Sequence, residues 1–206
     1  SQYSLNTNWN YNWNDNLNFD AGINLSNYTS NNFKEIKDLL GADYWVDVDQ
    51  FAERDFVDPN AAQSNLAIPN HVVRTGEKFG YDYDINIQKY DVFSQLEHKG
   101  SLLESYIALT LSGTRFWRTG NVQNGLFPNN SLGDSEKLLF VNPGAKAGLL
   151  YKFNGRHMLQ VNSAFLSRAP LSTNTFISPR TRNDVVQNID SETIKTIDFN
   201  YLLRFP

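Results

Sequence analysis

The feature that most constrains this chain is a regular alternation of apolar and polar residues along several long segments. Successive side chains of a β-strand point to opposite faces, so a period of two predicts strands with one apolar and one polar face. The segments that show this pattern are residues 3–13, 17–25, 79–92, 103–111, 145–153, 159–165 and 197–205.

Short and long connections alternate between these segments. The short ones lie near residues 13–16, 98–100 and 154–155, and Asn154-Gly155 is a strong hairpin signal because both residue types tolerate positive φ. The long ones span about residues 29–78, 118–137 and 169–191. The sequence therefore predicts an all-β fold, an up-and-down antiparallel meander of about seven long strands, in one domain over residues 1–206 with every long loop at one end.

Two local details follow from the same patterns. Asn32 with Glu35 resembles a capping box, so we expect one short helix over residues 33–40 in the first long loop. The apolar phase of the third segment shifts after Lys89, which predicts a β-bulge inside that strand.

Strand length, loop asymmetry and aromatic residues near both strand ends favour a transmembrane β-barrel. A soluble antiparallel sheet also has one dry face, so a soluble β-sandwich or propeller stays open. The chain has no run of roughly 20 apolar residues that a membrane helix requires.

Composition and motifs exclude several other functions. A net charge of −4 without clustered Lys and Arg does not indicate nucleic-acid binding. The absence of cysteine excludes disulfides, thiolate metal sites and a catalytic thiol. No catalytic, phosphate-binding or metal-ligand motif occurs, so we expect no enzyme, cofactor or metal.

Residues 144–157, with the sequence GAKAGLLYKFNGRH, together with 168–170, 178–183 and 35–45, resemble TonB-dependent outer-membrane receptors. The branch they resemble comprises SusC-like nutrient importers that carry a carboxypeptidase-regulatory-like domain. This resemblance implies a section of a barrel of about 22 strands in the outer membrane of a Gram-negative bacterium.

The resemblance also implies active uptake of a nutrient, and this activity would involve several partners. These would be outer-membrane lipid, the TonB complex acting through a plug region, a surface lipoprotein and a small nutrient ligand. Because the chain begins and ends inside alternating segments, we expect the plug domain, the TonB box and the remaining strands to lie outside it.

Candidate ligand-binding residues lie in the long loops or at strand ends. Their side chains end in carboxylates, aromatic rings or forked guanidinium groups, each of which can bind a ligand. The candidates are Asp43, Trp45, Asp47, Asp49, Trp117, Arg118, Arg180 and Arg182. An alternative for the whole chain is a soluble all-β glycan-binding or adhesin-like module, in which the apolar face packs against a second layer.

Overall fold

The structure is a computed structural model, and it describes residues 1–205. It has ten β-strands, of which β3, β4 and β7 are only two residues long. The strands are β1 (Gln2–Asn14), β2 (Leu17–Glu35), β3 (Trp45–Val46), β4 (Val72–Val73), β5 (Lys78–Lys99), β6 (Leu103–Gly120), β7 (Gly133–Asp134), β8 (Leu138–Lys152), β9 (His157–Arg168) and β10 (Glu192–Leu203).

The predicted all-β meander is confirmed. The seven long strands form one antiparallel sheet in the order β1-β2-β5-β6-β8-β9-β10, so each pairs with the next long strand along the chain. The tiny strand β7 pairs with the end of β6, while β3 and β4 form a separate two-stranded sheet. Within residues 1–205 the sheet does not close, because β1 and β10 each have a single neighbour.

Three tight turns lie at one end of the sheet and three long loops at the other, as the sequence predicts. We call the loops L1 (residues 36–77), L2 (residues 121–137) and L3 (residues 169–191). L3 has the predicted bounds, whereas L1 and L2 are shorter than expected because β2 and β6 extend further towards the loop end.

The strand register assigns every strand residue to one of two faces. Face A carries Ile23, Val92 and Leu111, which lie opposite one another on β2, β5 and β6. Face B carries the residues next to them in sequence, for example Asn24 and Asp91.

The helix predicted over residues 33–40 is wrong. β2 continues to Glu35, and its last residues pair with β5 across an irregularity between Phe33 and Lys34. A helix of that length is marginal in water, and pairing with a neighbouring strand satisfies the same backbone groups. The Asn32 side chain donates to the Ser30 carbonyl and caps no helix.

The helices of the structure lie elsewhere in the loops and are short. They are α1 (Gln50–Asp55) and the 3₁₀-helix Pro59–Ala62 in L1, and α2 (Ser172–Thr175) in L3. Among residues 1–205, no helix is both long and apolar enough to cross a membrane.

The β-bulge predicted after Lys89 is also wrong. Pairing of β5 with β2 and with β6 runs without a break through Lys89. The apolar residues instead change face within a regular strand: Tyr90 and Val92 lie on face A, whereas Ile85 and Ile87 lie on face B. The alternation of residues 79–87 predicts that Ile85 and Ile87 share the apolar face of Ile23, and this prediction is wrong because both lie on face B.

The small core of the molecule lies on face B at the loop end. Phe116, Phe140 and Phe176 are buried together, and Ile85 and Ile87 pack against them. Phe176 belongs to L3, so this cluster holds L3 folded over face B. The core is thus formed between the sheet and a loop at one end of the strands.

Candidate functional site

Face A carries a continuous band of exposed apolar side chains. At its centre, on β6, Ile107, Leu109 and Leu111 are each 51–53% exposed. The exposed apolar residues of the band on the seven long strands include Leu5, Trp9, Tyr11, Ile23, Leu25, Tyr90, Val92, Val141, Leu149, Tyr151, Phe165, Ile197, Phe199 and Tyr201. Nothing in residues 1–205 forms a second layer over this band.

The band has a defined extent along the strands. On β6 it runs from Leu103, opposite Tyr151, to Gly113, opposite Tyr90 and Val141. The ten steps from residue 103 to residue 113 correspond to about 34 Å at ~3.4 Å per residue.

Directly beyond that limit, face A becomes polar on three neighbouring strands at one level. Arg115 lies opposite Gln88, and Gln88 lies opposite Asn27. Farther towards the loops, the amide of Asn31 donates to Asp82 at 3.0 Å and to Asp84 at 2.7 Å. Face A therefore carries a hydrogen-bonded polar network at this end of β2 and β5, whereas Tyr3 on β1 and Leu139 on β8 remain apolar and exposed at the level of Asn27 and Arg115.

The carboxyl group of Asp82 is part of this polar network. Partial burial raises its pKa, but hydrogen bonds from Lys78, Asn121 and Asn31 outweigh that effect and hold the pKa below its usual value. The carboxylate is thus kept charged by its neighbours.

Asp134 tethers L2 to the same surface. Hydrogen bonds from Thr119 at 2.6 Å and from Lys137 lower its pKa. The L2 backbone is therefore joined to β6 by both a strand pair and a charged side chain.

Aromatic rings lie at both limits of the band. At the loop end, the Trp117 ring has the Lys137 ammonium 4.9 Å and the Arg115 guanidinium 5.9 Å from its centroid. At the turn end, Tyr151 and Phe153 meet edge to face with ring centroids 4.9 Å apart. The sequence places Phe116 at the loop end beside Trp117, but Phe116 is buried on face B and does not belong to this rim.

The three long loops contact one another and form a single cap, which we call the loop cap (L1, L2 and L3). The Gly125 N–H of L2 donates to the Gln63 carbonyl of L1 at 2.8 Å. The Asn183 N–H of L3 donates to the Asn130 carbonyl of L2, also at 2.8 Å. The cap is therefore a connected structure and not three independent loops.

Arg118, a candidate ligand-binding residue, lies at the centre of this cap and is only 1% exposed. Its Nε donates to the Pro179 carbonyl of L3 at 2.6 Å, and its Nη1 donates to the Ser131 carbonyl of L2 at 2.8 Å. Nη1 also donates to the Asn183 side chain. One side chain thus joins L2 and L3 to strand β6.

Burial dominates the electrostatics of Arg118. It lowers the pKa of the guanidinium from its ordinary value to about 10, and the adjacent Tyr83 partly opposes this change. The guanidinium lies 5.2 Å from the centroid of the Tyr83 ring, whose own pKa is raised mainly by burial. Arg118 is placed to hold the cap together, because its Nε and Nη1 already face protein acceptors.

The four candidate residues in L1 have different roles in the structure. Asp47 is buried and accepts the Gly80 N–H with both oxygens at 3.0 Å, which fixes L1 to β5. Asp49 is the N-cap of α1. Asp43 is exposed, and Trp45, in β3, is 41% exposed. Only these last two present free side chains.

The two L3 arginines lie over aromatic rings. The Arg180 guanidinium is 5.2 Å from the Tyr81 ring centroid, and that of Arg182 is 4.7 Å from Phe127. Arg182 also lies 3.2 Å from the Asp184 carboxylate. Arg118, Arg180 and Arg182 are therefore brought together in the L2–L3 part of the cap, whereas Trp117 faces away on face A. Whether any of them binds a ligand stays a prediction.

Three cavities adjoin L3, and two of them are lined in part by charged side chains. One of about 630 Å³ lies between L2 and L3 and is mainly polar, with Asp134, Glu136 and Asp184 among its lining residues. Another of about 290 Å³ lies on face B beneath the start of L3 and includes Asn142 in its wall. Sequence reasoning missed Asn142, because a polar residue on the polar face of a strand gives no distinguishing signal.

The part of the chain that the structure describes contains no group of three or more His, Asp or Glu side chains that could hold a metal ion. Comparisons of the chain with protein-family models, with curated proteins and with solved structures give no match.

Proposed function

We propose that this chain is a section of the wall of a TonB-dependent transporter in the outer membrane of a Gram-negative bacterium, where it takes part in active uptake of a small nutrient. The observation that carries the proposal is the exposed apolar band on face A. Monomeric soluble proteins rarely expose an apolar patch of more than a few hundred Å².

The dimensions of the band support a bilayer as its solvent. Strands of outer-membrane barrels tilt by about 35–45°, and their apolar belt is about 25 Å tall. A tilt of about 40° reduces the ~34 Å length of the band along β6 to a height of ~26 Å. The polar level at Arg115, Gln88 and Asn27 would then lie at the membrane surface.

The remaining geometry agrees with that environment. Lipid offers no hydrogen-bond partner to a free strand edge, so the open edges of β1 and β10 would pair with further strands that close the wall. Face B, with Asn24, Asp91 and Ser112, would line the lumen. The loop cap would face the outside and contact the nutrient, a surface lipoprotein or both. The TonB dependence rests on the resemblance of residues 144–157 to the receptor family.

Introducing a charged residue on face A or on face B tests the proposal that face A contacts lipid. Leu109→Arg puts a cation in the middle of the band, and arginine at the bilayer midplane costs about 2–4 kcal/mol of folding free energy. The matched control is Thr110→Arg, the next residue, which projects from face B and should cost less than about 1 kcal/mol. The measurement is urea unfolding of the protein in phospholipid vesicles, after flotation shows that it associates with them.

Equal effects of the two substitutions would contradict the proposal. So would purification of the chain without detergent as a monodisperse monomer, which would favour the soluble glycan-binding or adhesin-like module.

Orientation is testable by labelling, because the chain contains no cysteine. Val57→Cys lies in L1 at a fully exposed position, and Gly155→Cys lies in a tight turn at the opposite end. A membrane-impermeant maleimide should label only the first on intact cells. Labelling of the second alone would contradict the proposed orientation.

The transport part is tested by growth on single nutrients at limiting concentration. Deletion of the gene for this chain should abolish growth on one nutrient, and deletion of TonB should abolish growth on the same nutrient. Loss of growth in the first deletion alone would contradict TonB dependence.

A further inference from the structure

The polar level of face A is a row of three residues on neighbouring strands. Asn27 on β2 lies opposite Gln88 on β5, and Gln88 lies opposite Arg115 on β6. Neighbouring strands are about 4.8 Å apart, so the row is about 10 Å long. The next residue on either side is apolar and exposed: Tyr3 lies opposite Asn27, and Leu139 lies opposite Arg115. The row is thus a polar interruption in an apolar surface.

The nitrogen atoms of this row are accessible donors. The Tyr90 hydroxyl donates to Gln88 Oε1 at 3.1 Å, which leaves Gln88 Nε2 able to donate to a ligand. Asn27 and Arg115 are exposed, and within residues 1–205 the side chains of both form no hydrogen bond or ion pair. Three donors therefore face the surroundings of face A at one level.

An apolar groove of about 310 Å³ adjoins the row on the side of the band. Asn27 and Gln88 lie at its loop end. Its apolar walls are the exposed side chains of Tyr3, Leu5, Leu25 and Tyr90. A groove with apolar walls and hydrogen-bond donors at one end fits an amphiphile, whose acyl chain and headgroup require these two kinds of surface.

The charges beside the row favour an anionic headgroup. Arg115 and Lys137 lie on either side of the Trp117 ring, 5.9 Å and 4.9 Å from its centroid. Lys137 is paired with Asp134 at 2.9 Å. Two cations and one carboxylate leave a net positive charge, and a guanidinium binds phosphate through two parallel hydrogen bonds.

We propose that the row and the groove bind one lipid of the bilayer that has an anionic phosphate headgroup. Arg115 binds the phosphate, Gln88 and Asn27 donate to the ester oxygens, and an acyl chain lies along Leu25 and Tyr90. The inference rests on the proposed function, because it requires lipid around face A. It adds a preference for one class of lipid at one position of the wall.

The test is native mass spectrometry of the full chain in neutral detergent micelles. The probes are dioleoylphosphatidic acid, dioleoylphosphatidylcholine and glycerol 3-phosphate, which has the phosphate but no acyl chain. Phosphatidic acid should bind about fivefold better than phosphatidylcholine, as one cation beside an anionic headgroup predicts. Glycerol 3-phosphate should bind more weakly than either lipid. Arg115→Gln should weaken the binding of phosphatidic acid about tenfold, and Leu25→Ala should also weaken it.

Each variant has a matched control that should bind phosphatidic acid as the wild type does. Arg156→Gln removes the same charge from an exposed position in the tight turn at the opposite end of the sheet. Leu109→Ala truncates an exposed residue of the band outside the groove. The proposal is overturned if the two lipids bind equally, if glycerol 3-phosphate binds as well as phosphatidic acid, or if a control weakens binding as much as its partner variant.

Flotation with phospholipid vesicles separates this inference from the proposed function. If the chain floats with vesicles but does not prefer phosphatidic acid, the lipid site is wrong and the membrane wall stands. If the chain does not float, the proposed function is wrong and the lipid site falls with it.

Discussion

Replacing Arg118 with methionine removes the side chain that joins L2 and L3 to the sheet while keeping an unbranched apolar chain in its place. The substitution deletes hydrogen bonds to the Pro179 and Ser131 carbonyls and to the Asn183 side chain. The residue is 1% exposed, so water does not take over these acceptors unless the loops move. We therefore expect L2 and L3 to detach from the sheet more often.

The free energy with which Arg118 holds the loops to the sheet follows from two opposing contributions. Hydrogen bonds from a charged donor contribute about 1.5–3 kcal/mol each, so three contribute about 4.5–9 kcal/mol. Burial lowers the pKa of Arg118 to about 10. A shift of that size from the ordinary arginine value corresponds to an offsetting cost of about 3.5 kcal/mol, at ~1.4 kcal/mol per pKa unit. The net contribution is about 1–5.5 kcal/mol, and a value near 3 kcal/mol corresponds to about a hundredfold change in loop opening.

Amide hydrogen exchange resolves this opening residue by residue. The Asn183 N–H, bonded to the Asn130 carbonyl, should exchange about a hundredfold faster in Arg118→Met. Arg118→Lys should restore little, because an ammonium lacks the forked geometry of a guanidinium. The control is Arg115→Met, on the same strand but exposed on face A, which should leave this exchange unchanged. Exchange of Asn183 within about threefold of the wild type in Arg118→Met would refute the reasoning.

Three further changes test other contacts of the loop cap. Gly120→Ala would place a Cβ 1.7 Å from a backbone oxygen of L2, so we expect the free energy of unfolding to fall by about 1–3 kcal/mol. The control is Gly113→Ala, whose Cβ would have no contact closer than 3.7 Å and which should lose little stability. Equal losses in the two variants would contradict this. Phe176→Ala should make L3 more sensitive to limited proteolysis because it removes a buried ring, whereas Ile177→Ala, at an exposed position, should not; equal sensitivity would argue against the anchor. The pKa of Asp134 is lowered from 3.8, so its stabilising effect is full above that pH and is lost as the pH falls through the folded-state value. Acid unfolding of Asp134→Asn should lack this component, and unchanged acid sensitivity would contradict it.

The sheet was predictable because alternation and turn chemistry are local signals. Asn154-Gly155 and the regular pattern from Tyr3 to Trp13 specify a turn and a strand without any knowledge of the rest of the chain. The last third of β2 was missed because Ser30, Asn31 and Asn32 are all polar, and only pairing with β5 makes them a strand.

The candidate site was less predictable because its contacts are long-range. Arg118 donates to a carbonyl 61 residues away, and neither its burial nor its role in the cap follows from the Phe116-Trp117-Arg118 sequence. The change of face within β5 was interpreted as a bulge because a shift in phase has two physical causes. A strand can gain a residue, or its surroundings can change along its length. Only the unbroken register through Lys89 distinguishes them.

That change of surroundings along the strands favours a section of a transporter wall over a soluble glycan-binding or adhesin-like module. On β2, β5 and β6, face A is apolar up to the level of Gly113 and becomes polar at Asn27, Gln88 and Arg115, while face B carries polar residues such as Asn24, Asp91 and Ser112 below the level of Phe116 and the Phe116 cluster beneath L3. A soluble sandwich requires a second layer over the apolar part of face A, yet L3 folds over face B. One sheet whose faces exchange character at a single level has two different surroundings along its strands. A bilayer around the band, with water and loops above it, supplies both without another protein layer.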